Sequence, residues 1–427
     1  MLLNRQAFVS GAVVFAFVLC CCFVAAEGND FTLFKIEEAT TRDAVCSDGS
    51  AAGYYFRPGS GSGQQVWHFH LMGGFWCWDA ESCAERQKRA PYLISLAGYK
   101  EQWSGPVGIF AQNETTNPLF HNVNHVYVLY CSSDAWSGDA SKTQSNIFHF
   151  RGKKIVKAVL EDVYKYRGLR ESSDQRQILF SGCSAGGVGV VVNANFVQAT
   201  LRDLLKNNAT RVLSLADAGI MFDYPLYPEH LPLDHVFDTT IIPALEQFTK
   251  GFPLWNGQLD SSCTAAYPKQ PEKCYFGQYA YSFIDTPMLV NQQQYDAWQL
   301  DWYIPLLCRS TIMTLTEATA IYRNIGYVPA QYNSSMETYA NNYRLNTVEV
   351  LAVMTKKQHT IFSGMCFSHC STDNNNWTNL RLSDDTDTSL AAVFGPWWEA
   401  QGTAAPQFYF DHCGSFNCSI GCPAPEF

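Results

Sequence analysis

The sequence predicts an α/β fold: a mostly parallel central sheet with helices on both faces and disulfide-bearing insertions. Short runs of β-forming residues alternate with segments of helical spacing. A Gly-rich turn joins one such run directly to a long helix. The 427 residues are 47% hydrophobic and 16% charged, enough to bury a substantial core and too apolar for a disordered chain. The 29 Lys and Arg stand against 39 Asp and Glu, a formal charge of −10. That balance disfavours a nucleic-acid partner, which needs a basic face to replace phosphate counterions. It also disfavours a polybasic membrane surface. The 11 Trp and 22 Tyr suit either an amphipathic ligand surface or a filled core, and composition does not choose.

Met1 to Gln6 carries one positive charge, Arg5, and Ala7 to Val24 is almost wholly apolar. Val24-Ala25-Ala26 puts small residues at −3 and −1 of a cut before Glu27. This is the layout of a secretory signal over 1–26. An uncleaved signal anchor is the alternative, because the run approaches the length of a membrane span. No other stretch reaches about 18 uninterrupted apolar residues. The expectation is therefore a secreted protein with one domain over 27–427 and a Cys-rich C-terminal tail, and no stable membrane association unless the signal is uncleaved.

Three of the 16 cysteines lie in the signal, leaving 13 in the mature chain. In an oxidising compartment most of these should pair, and the odd number leaves at least one thiol free or paired between chains. Spacing suggests local loops for Cys77 with Cys83 and for Cys263 with Cys274. The trio Cys413, Cys418, Cys422 has no readable connectivity. With His412 it has a rival reading as a zinc site, but it lacks paired C-x2-C spacing. Sequons at Asn113, Asn208, Asn333, Asn376 and Asn417 fit a glycosylated surface.

In chain order, Pro58 to Gly63 reads as a hairpin loop. Val66 to Met72 is a strand running into Gly73-Gly74, and His125 to Tyr130 is another. Ile155 to Tyr166 has helical spacing, with Val156, Val159, Leu160, Val163 and Tyr164 on one side. Gln177 to Phe180 is a strand and Gly186 to Leu205 a long helix. Arg211 to Leu215 and Met288 to Asn291 are further strands. Gly251 to Tyr281, which bears Pro and Cys, reads as an irregular insertion, as does the Cys-rich end from about Pro406.

The chemistry is concentrated in Gly182-Cys183-Ser184-Ala185-Gly186. This is G-x-S-x-G between a strand and a helix, where a tight turn holds a serine in a strained conformation and its neighbours two residues away must be small. Ser184 is the candidate nucleophile, and the amide of Ala185 at the helix N-terminus is a natural oxyanion donor. The bland alternative is a glycine-rich turn closing onto the sheet. A nucleophilic serine needs a base and an orienting acid, in the chain order Ser, acid, His. The downstream histidines are His230, His235, His359, His369 and His412. Asp296 is attractive because it follows a strand, with Tyr295 and Trp298 to shelter it. His369 is attractive because Cys366 and Cys370 could pin its loop. Asp217 is the competing acid, with an alternative role in ordering the turn after its strand. Met72-Gly73-Gly74-Phe75 could supply a second oxyanion donor from a Gly-Gly turn. His68 and His70 share one face of a strand, but no carboxylate cluster accompanies them, so core histidines are favoured over a metal site.

Several blocks together resemble the pectin acetylesterase/Notum family of carboxylesterases, over nearly the whole mature chain from Cys46-Ser47-Asp48-Gly49-Ser50 to Cys422-Pro423. They are Gly59 to Gly63; Gly73-Gly74-Phe75-Trp76-Cys77; Tyr130-Cys131-Ser132-Ser133-Asp134-Ala135-Trp136-Ser137-Gly138; Gly182 to Gly187; Trp255-Asn256-Gly257 with Cys274-Tyr275-Phe276-Gly277; Tyr295-Asp296-Ala297-Trp298-Gln299; and Cys366-Phe367-Ser368-His369-Cys370. The resemblance implies an α/β-hydrolase-like fold and ester hydrolysis without metal or cofactor. It also implies Ser184 as nucleophile, Asp296 as acid, His369 as base, and an oxyanion hole from the amides of Gly74, Phe75 and Ala185. Two positions depart from the family pattern: Met72 stands where Glu is usual, and Phe75 where Gly or Trp is usual. Cys131 to Gly138 looks like the animal Notum form, whereas Asp296 to Gln299 and His369-Cys370 look like the plant form. The leading expectation is a secreted deacetylase of pectin-like polysaccharide. The alternatives are Notum-like removal of a fatty acyl ester from a secreted protein, and a non-catalytic glycan-binding protein on a hydrolase scaffold.

Overall fold

The computed structural model describes residues 30–104, 107–144, 146–172, 176–228, 242–304, 332–354, 359–375, 377–403, 405–413 and 422. Twelve strands are seen there: β1 (Phe31–Lys35), β2 (Gly53–Arg57), β3 (Val66–Leu71), β4 (Gln102–Trp103), β5 (Asn124–Val128), β6 (Gln177–Cys183), β7 (Val212–Asp217), β8 (Met288–Asn291), β9 (Tyr295–Asp296), β10 (His359–Ser363), β11 (Phe367–Ser368) and β12 (Phe408–Phe410). Ten form one sheet in the order β12-β10-β8-β7-β6-β3-β5-β2-β1-β4. From β12 to β5 every pairing is parallel, and β2, β1 and β4 extend that edge antiparallel. The central strands are buried along their length, as a parallel sheet covered on both faces requires.

The helices are α1 (Ala80–Arg89), α2 (Gly152–Tyr166), α3 (Ala185–Leu205), α4 (Ala244–Trp255), α5 (Ser261–Ala266), α6 (Gly277–Ala280), α7 (Ala297–Tyr303), α8 (Ser334–Met354) and α9 (Leu390–Glu399). Their ends follow local chemistry. Asp79 and Ser82 form a reciprocal capping box on α1, and the Ser389 hydroxyl accepts from Ala392 N at the start of α9. Helix α3 ends on Lys206 in the left-handed region.

Three expectations are corrected. Residues 58–63 do not close a hairpin, because β5 lies between β2 and β3 in the sheet. The turn there is a crossover, and Gly63 is buried so tightly that a Cβ would sit 2.1 Å from Asn122 O. The region 251–281 is not irregular but mostly helical, spanning the end of α4, α5 and α6. Pro253 lies inside α4. Packing offsets that break, since Phe248 stacks on Tyr275 with centroids 4.3 Å apart and Trp255 is fully buried. The C-terminal end is partly sheet: β12 pairs parallel with β10.

Five disulfides join Cys46–Cys131, Cys77–Cys83, Cys183–Cys370, Cys263–Cys274 and Cys366–Cys422, and Cys413 is also disulfide-bonded. The two local loops expected from spacing are present. Cys413 and Cys422 are bonded to sulfur, which removes two ligands from the zinc reading of the tail. Cys308 and Cys418 lie outside the described residues, as do the sequons at Asn376 and Asn417 and the signal over 1–26. Asn113, Asn208 and Asn333 are exposed.

Candidate active site

The carboxyl ends of parallel strands are where an open α/β sheet gathers its ligands. Here β3, β6, β8 and β10 each deliver a loop to that edge. Strand β6 ends at Cys183, and α3 begins at Ala185. Between them Ser184 has φ 59° and ψ −125°, a conformation that L-residues rarely adopt. The surrounding glycines leave no alternative. A Cβ on Gly182 would lie 2.3 Å from Gly186 O, and one on Gly186 would lie 1.9 Å from Leu71 O. The Ser184 amide donates to Asp217 O at 3.0 Å, fixing the turn against β7.

The loop after β3 touches this turn. A Cβ on Gly73 would sit 3.0 Å from the Ser184 Cβ. Gly74 follows with φ 134° and Phe75 with φ 60°. The side chain of Phe75 is buried against Trp76, Trp78 and Trp298. Thus Gly74, Phe75 and Ala185 all lie on the two loops that meet at Ser184.

Asp296 and His369 come together through two short strands. In the parallel β9–β11 pair, Asp296 is in register with Ser368, the residue before His369. The His369 ring nitrogen Nδ1 lies 3.1 and 3.0 Å from the two oxygens of Asp296. Asp296 is fully buried. It also accepts from Gln299 N, as the N-cap of α7, and from Gln292 Nε2, both at 2.9 Å. His369 Nε2 is buried and has no hydrogen-bond partner among the described residues. The Cys183–Cys370 disulfide joins the residue before Ser184 to the residue after His369. Cys183, His369 and Cys370 offer atoms within 4.8 Å of one another, but the two sulfurs are bonded to each other, so their chemistry does not fit a metal.

Asp217 does not face His369 as a partner. Its Oδ2 accepts from Thr372 N at 2.7 Å and Thr372 Oγ1 at 2.6 Å, and its Oδ1 from Asn291 Nδ2 at 2.7 Å. It therefore ties the loop carrying His369 to the ends of β7 and β8. Burial pushes its carboxyl above the usual range, partly offset by Thr372. His359 is in β10, His412 lies near exposed loops, and His230 and His235 are outside the described residues. His68 and His70 share Ser181 Oγ, at 2.5 and 2.8 Å, and His68 Nδ1 meets His125 Nδ1 at 2.9 Å. These are core histidines in a hydrogen-bonded chain, and burial pushes all three down.

One residue escaped the sequence reading. Arg86 in α1 is fully buried behind the β3 loop, where it donates to Gly74 O and Phe75 O. Its only sequence signal is a basic residue three positions after Cys83.

The family model described as Pectinacetylesterase matches residues 24–423. "Palmitoleoyl-protein carboxylesterase notum2" of Xenopus laevis is 30% identical over 390 residues, covering 89% of this chain and 72% of that protein. "Pectin acetylesterase 11" of Arabidopsis thaliana is 27% identical over 400 residues, covering 91% and 92%. The structure of the Wnt deacylase Notum from Drosophila superposes with a TM-score of 0.75 at 24% identity, over 92% of this chain and 100% of that one. The fold expected from the sequence, an α/β-hydrolase-like sheet with disulfides, is thus observed.

Proposed function

This chain belongs to the pectinacetylesterase family, whose members are carboxylic ester hydrolases, and from that premise we propose that it is an O-deacetylase of acetylated, pectin-like polysaccharide. We read 27–427 as its one catalytic domain, exported behind a signal over 1–26; the disulfides fit an oxidising compartment.

In this reading Ser184 Oγ attacks the ester carbonyl carbon and its proton passes to His369 Nε2. Asp296 holds the ring through Nδ1 and stabilises the imidazolium. The carbonyl oxygen becomes an oxyanion facing the amides of Gly74, Phe75 and Ala185. The tetrahedral centre collapses, the C–O bond to the sugar breaks, and the alcohol leaves with the proton from His369. Water, deprotonated by His369, then attacks the acyl-enzyme and releases the acid.

The observation that carries the short-acyl reading is the cavity beside these groups. It is narrow, with about 10 Å³ of free space, and half of its lining is rings, Phe75, Trp76, Trp298 and Tyr303, with Met221 and Gln247 among the rest. Its rings sit close together: Phe75 and Trp298 have centroids 4.8 Å apart, and Trp298 lies 5.9 Å from the His369 ring. A space of this size suits an acetyl group better than a long chain. The similarity to Notum proteins supports a second reading, deacylation of a lipidated protein, and the same experiment separates them. Hydrolysis of a p-nitrophenyl ester series from acetate to long-chain acyl would be measured on wild type and Ser184→Ala. Activity confined to short chains and lost in the variant supports deacetylation. A long-chain preference moves the assignment to lipid deacylation, and activity unchanged in the variant overturns Ser184 as nucleophile.

A further inference from the structure

We propose that Arg86 is a positioning residue of the oxyanion hole, holding the Gly74–Phe75 peptide by its carbonyl end so that the amide at the other end is aimed and polarised for the developing oxyanion. This rests on the reading of Ser184 as nucleophile with Phe75 N–H among the oxyanion donors.

The geometry runs through one peptide unit. The carbonyl of Gly74 and the amide of Phe75 belong to the same peptide, and no cis peptide occurs among the described residues. In a trans unit the C=O and N–H point in opposite directions. Arg86 Nη2 donates to Gly74 O, so the Phe75 N–H faces away from α1. Nη2 also reaches Phe75 O at 3.4 Å, engaging the next peptide as well. Arg86 Nε donates to Ser133 Oγ at 2.6 Å, and that hydroxyl donates to Leu93 O at 2.7 Å. The guanidinium is therefore fixed from behind. The held loop needs such a clamp, since Gly74 and Phe75 both sit at positive φ.

The charge has no acidic hydrogen-bond partner among the described residues. Among the described residues the hydrogen bonds of Arg86 go to a hydroxyl and two carbonyl oxygens, and its Nη1 is buried without a partner. Asp134 is the carboxylate that acts on it at longer range. That carboxylate is already engaged by Ser132 Oγ, Trp136 N and Gly152 N. A buried cation left without a carboxylate is costly as a structural device. Its field is not cancelled locally, so it favours negative charge at the oxyanion site through the polarised peptide.

The test compares Arg86→Met and Arg86→Lys with wild type and Ser184→Ala on p-nitrophenyl acetate. Inhibition by phenylboronic acid is the second readout, because its boron accepts a serine oxygen to form a tetrahedral anion. The expected result for Arg86→Met is a kcat lower by about 10- to 100-fold, less than or near the loss for a direct donor. KM should stay within about twofold, and the boronate Ki should rise in parallel with the fall in kcat/KM. Arg86→Lys, which keeps the charge but not the fork, should recover part of both. A folded Arg86→Met with wild-type kcat overturns the proposal. So does a lowered Tm with kcat and Ki unchanged, which would make Arg86 structural only. If Arg86→Met does not fold, Arg86→Lys decides, and unchanged kcat and Ki there overturn it. Activity surviving in Ser184→Ala would instead sink the underlying assignment.

Discussion

Removing the Cys183–Cys370 disulfide is expected to cost both stability and turnover. The bond closes a separation of 187 residues. The loop-entropy relation gives about 5 kcal/mol for a closure of that size at 25 °C. With an unfolding entropy of about 2.1 cal/mol/K per residue over roughly 400 residues, the Tm should fall by about 6 °C. The double variant Cys183→Ala, Cys370→Ala avoids leaving a reactive thiol. Urea unfolding followed by Trp fluorescence gives the stability change, and kcat is measured well below the new Tm. Because the bond joins the neighbours of Ser184 and His369, kcat should fall even where the variant is fully folded. A stability change within about 1 kcal/mol would refute the loop-closure argument, since the Asp217 contacts alone would then be holding the loop. A normal kcat in the folded variant would refute the positioning argument.

Other outcomes can be checked alongside. Trp298→Ala should enlarge the cavity beside His369 and shift kcat/KM in an ester series toward longer acyl chains; an unchanged profile would remove Trp298 as the limit. Asp217→Asn should destabilise by on the order of 3 kcal/mol, because its bonds from Thr372 and Asn291 are charge-assisted, and differential unfolding would read this. His70 is pushed down to about 3 by burial from its ordinary 6.5, with Asp373 Oδ1 4.0 Å away. Between those values the unfolded chain binds the proton and the folded one does not, so stability is full above pH 6.5 and falls as pH drops. At pH 4.5 the loss from His70 is about 3 kcal/mol. Asp134 and Asp217, raised by burial, act in the opposite direction, so the comparison is with His70→Gln, whose stability should vary less between pH 7 and 4.5.

What the sequence discloses here is what local chemistry determines. The β6–Ser184–α3 turn is legible because only glycine fits at 182 and 186, so the steric demand is written in adjacent residues. Met288–Asn291 is legible because the apolar Met288-Leu289-Val290 is bounded by polar residues. The partition of strands is not. Whether β3 pairs with β2 or with β5 depends on a pairing with residues 124–128, far along the chain. The proximity of Asp296 to His369 is likewise non-local, set by two strands of two residues each, 73 positions apart. Arg86 was invisible for the same reason: its role depends on two carbonyl oxygens that face it only after the β3 loop has reversed. In α4, Gly251 and Pro253 signal a break locally, and ring packing from Tyr275 and Phe276 overrides it.

The order of strands also has a consequence for biosynthesis. From β6 outward, β7, β8, β10 and β12 are added one at a time, each beside a strand already made. The sheet can thus assemble in the order in which the ribosome supplies it. Ser184 emerges with β6, but Asp296 and His369 follow only with β9 and the residue after β11. At about 5–20 residues per second the delay between Ser184 and His369 is roughly 10 to 40 s. Until then the Ser184 turn lacks the Cys183–Cys370 bond, and the Asp296–His369 pair has yet to form. In the proposed reading, the Ser184, Asp296 and His369 site is therefore complete only after most of the polypeptide has been made.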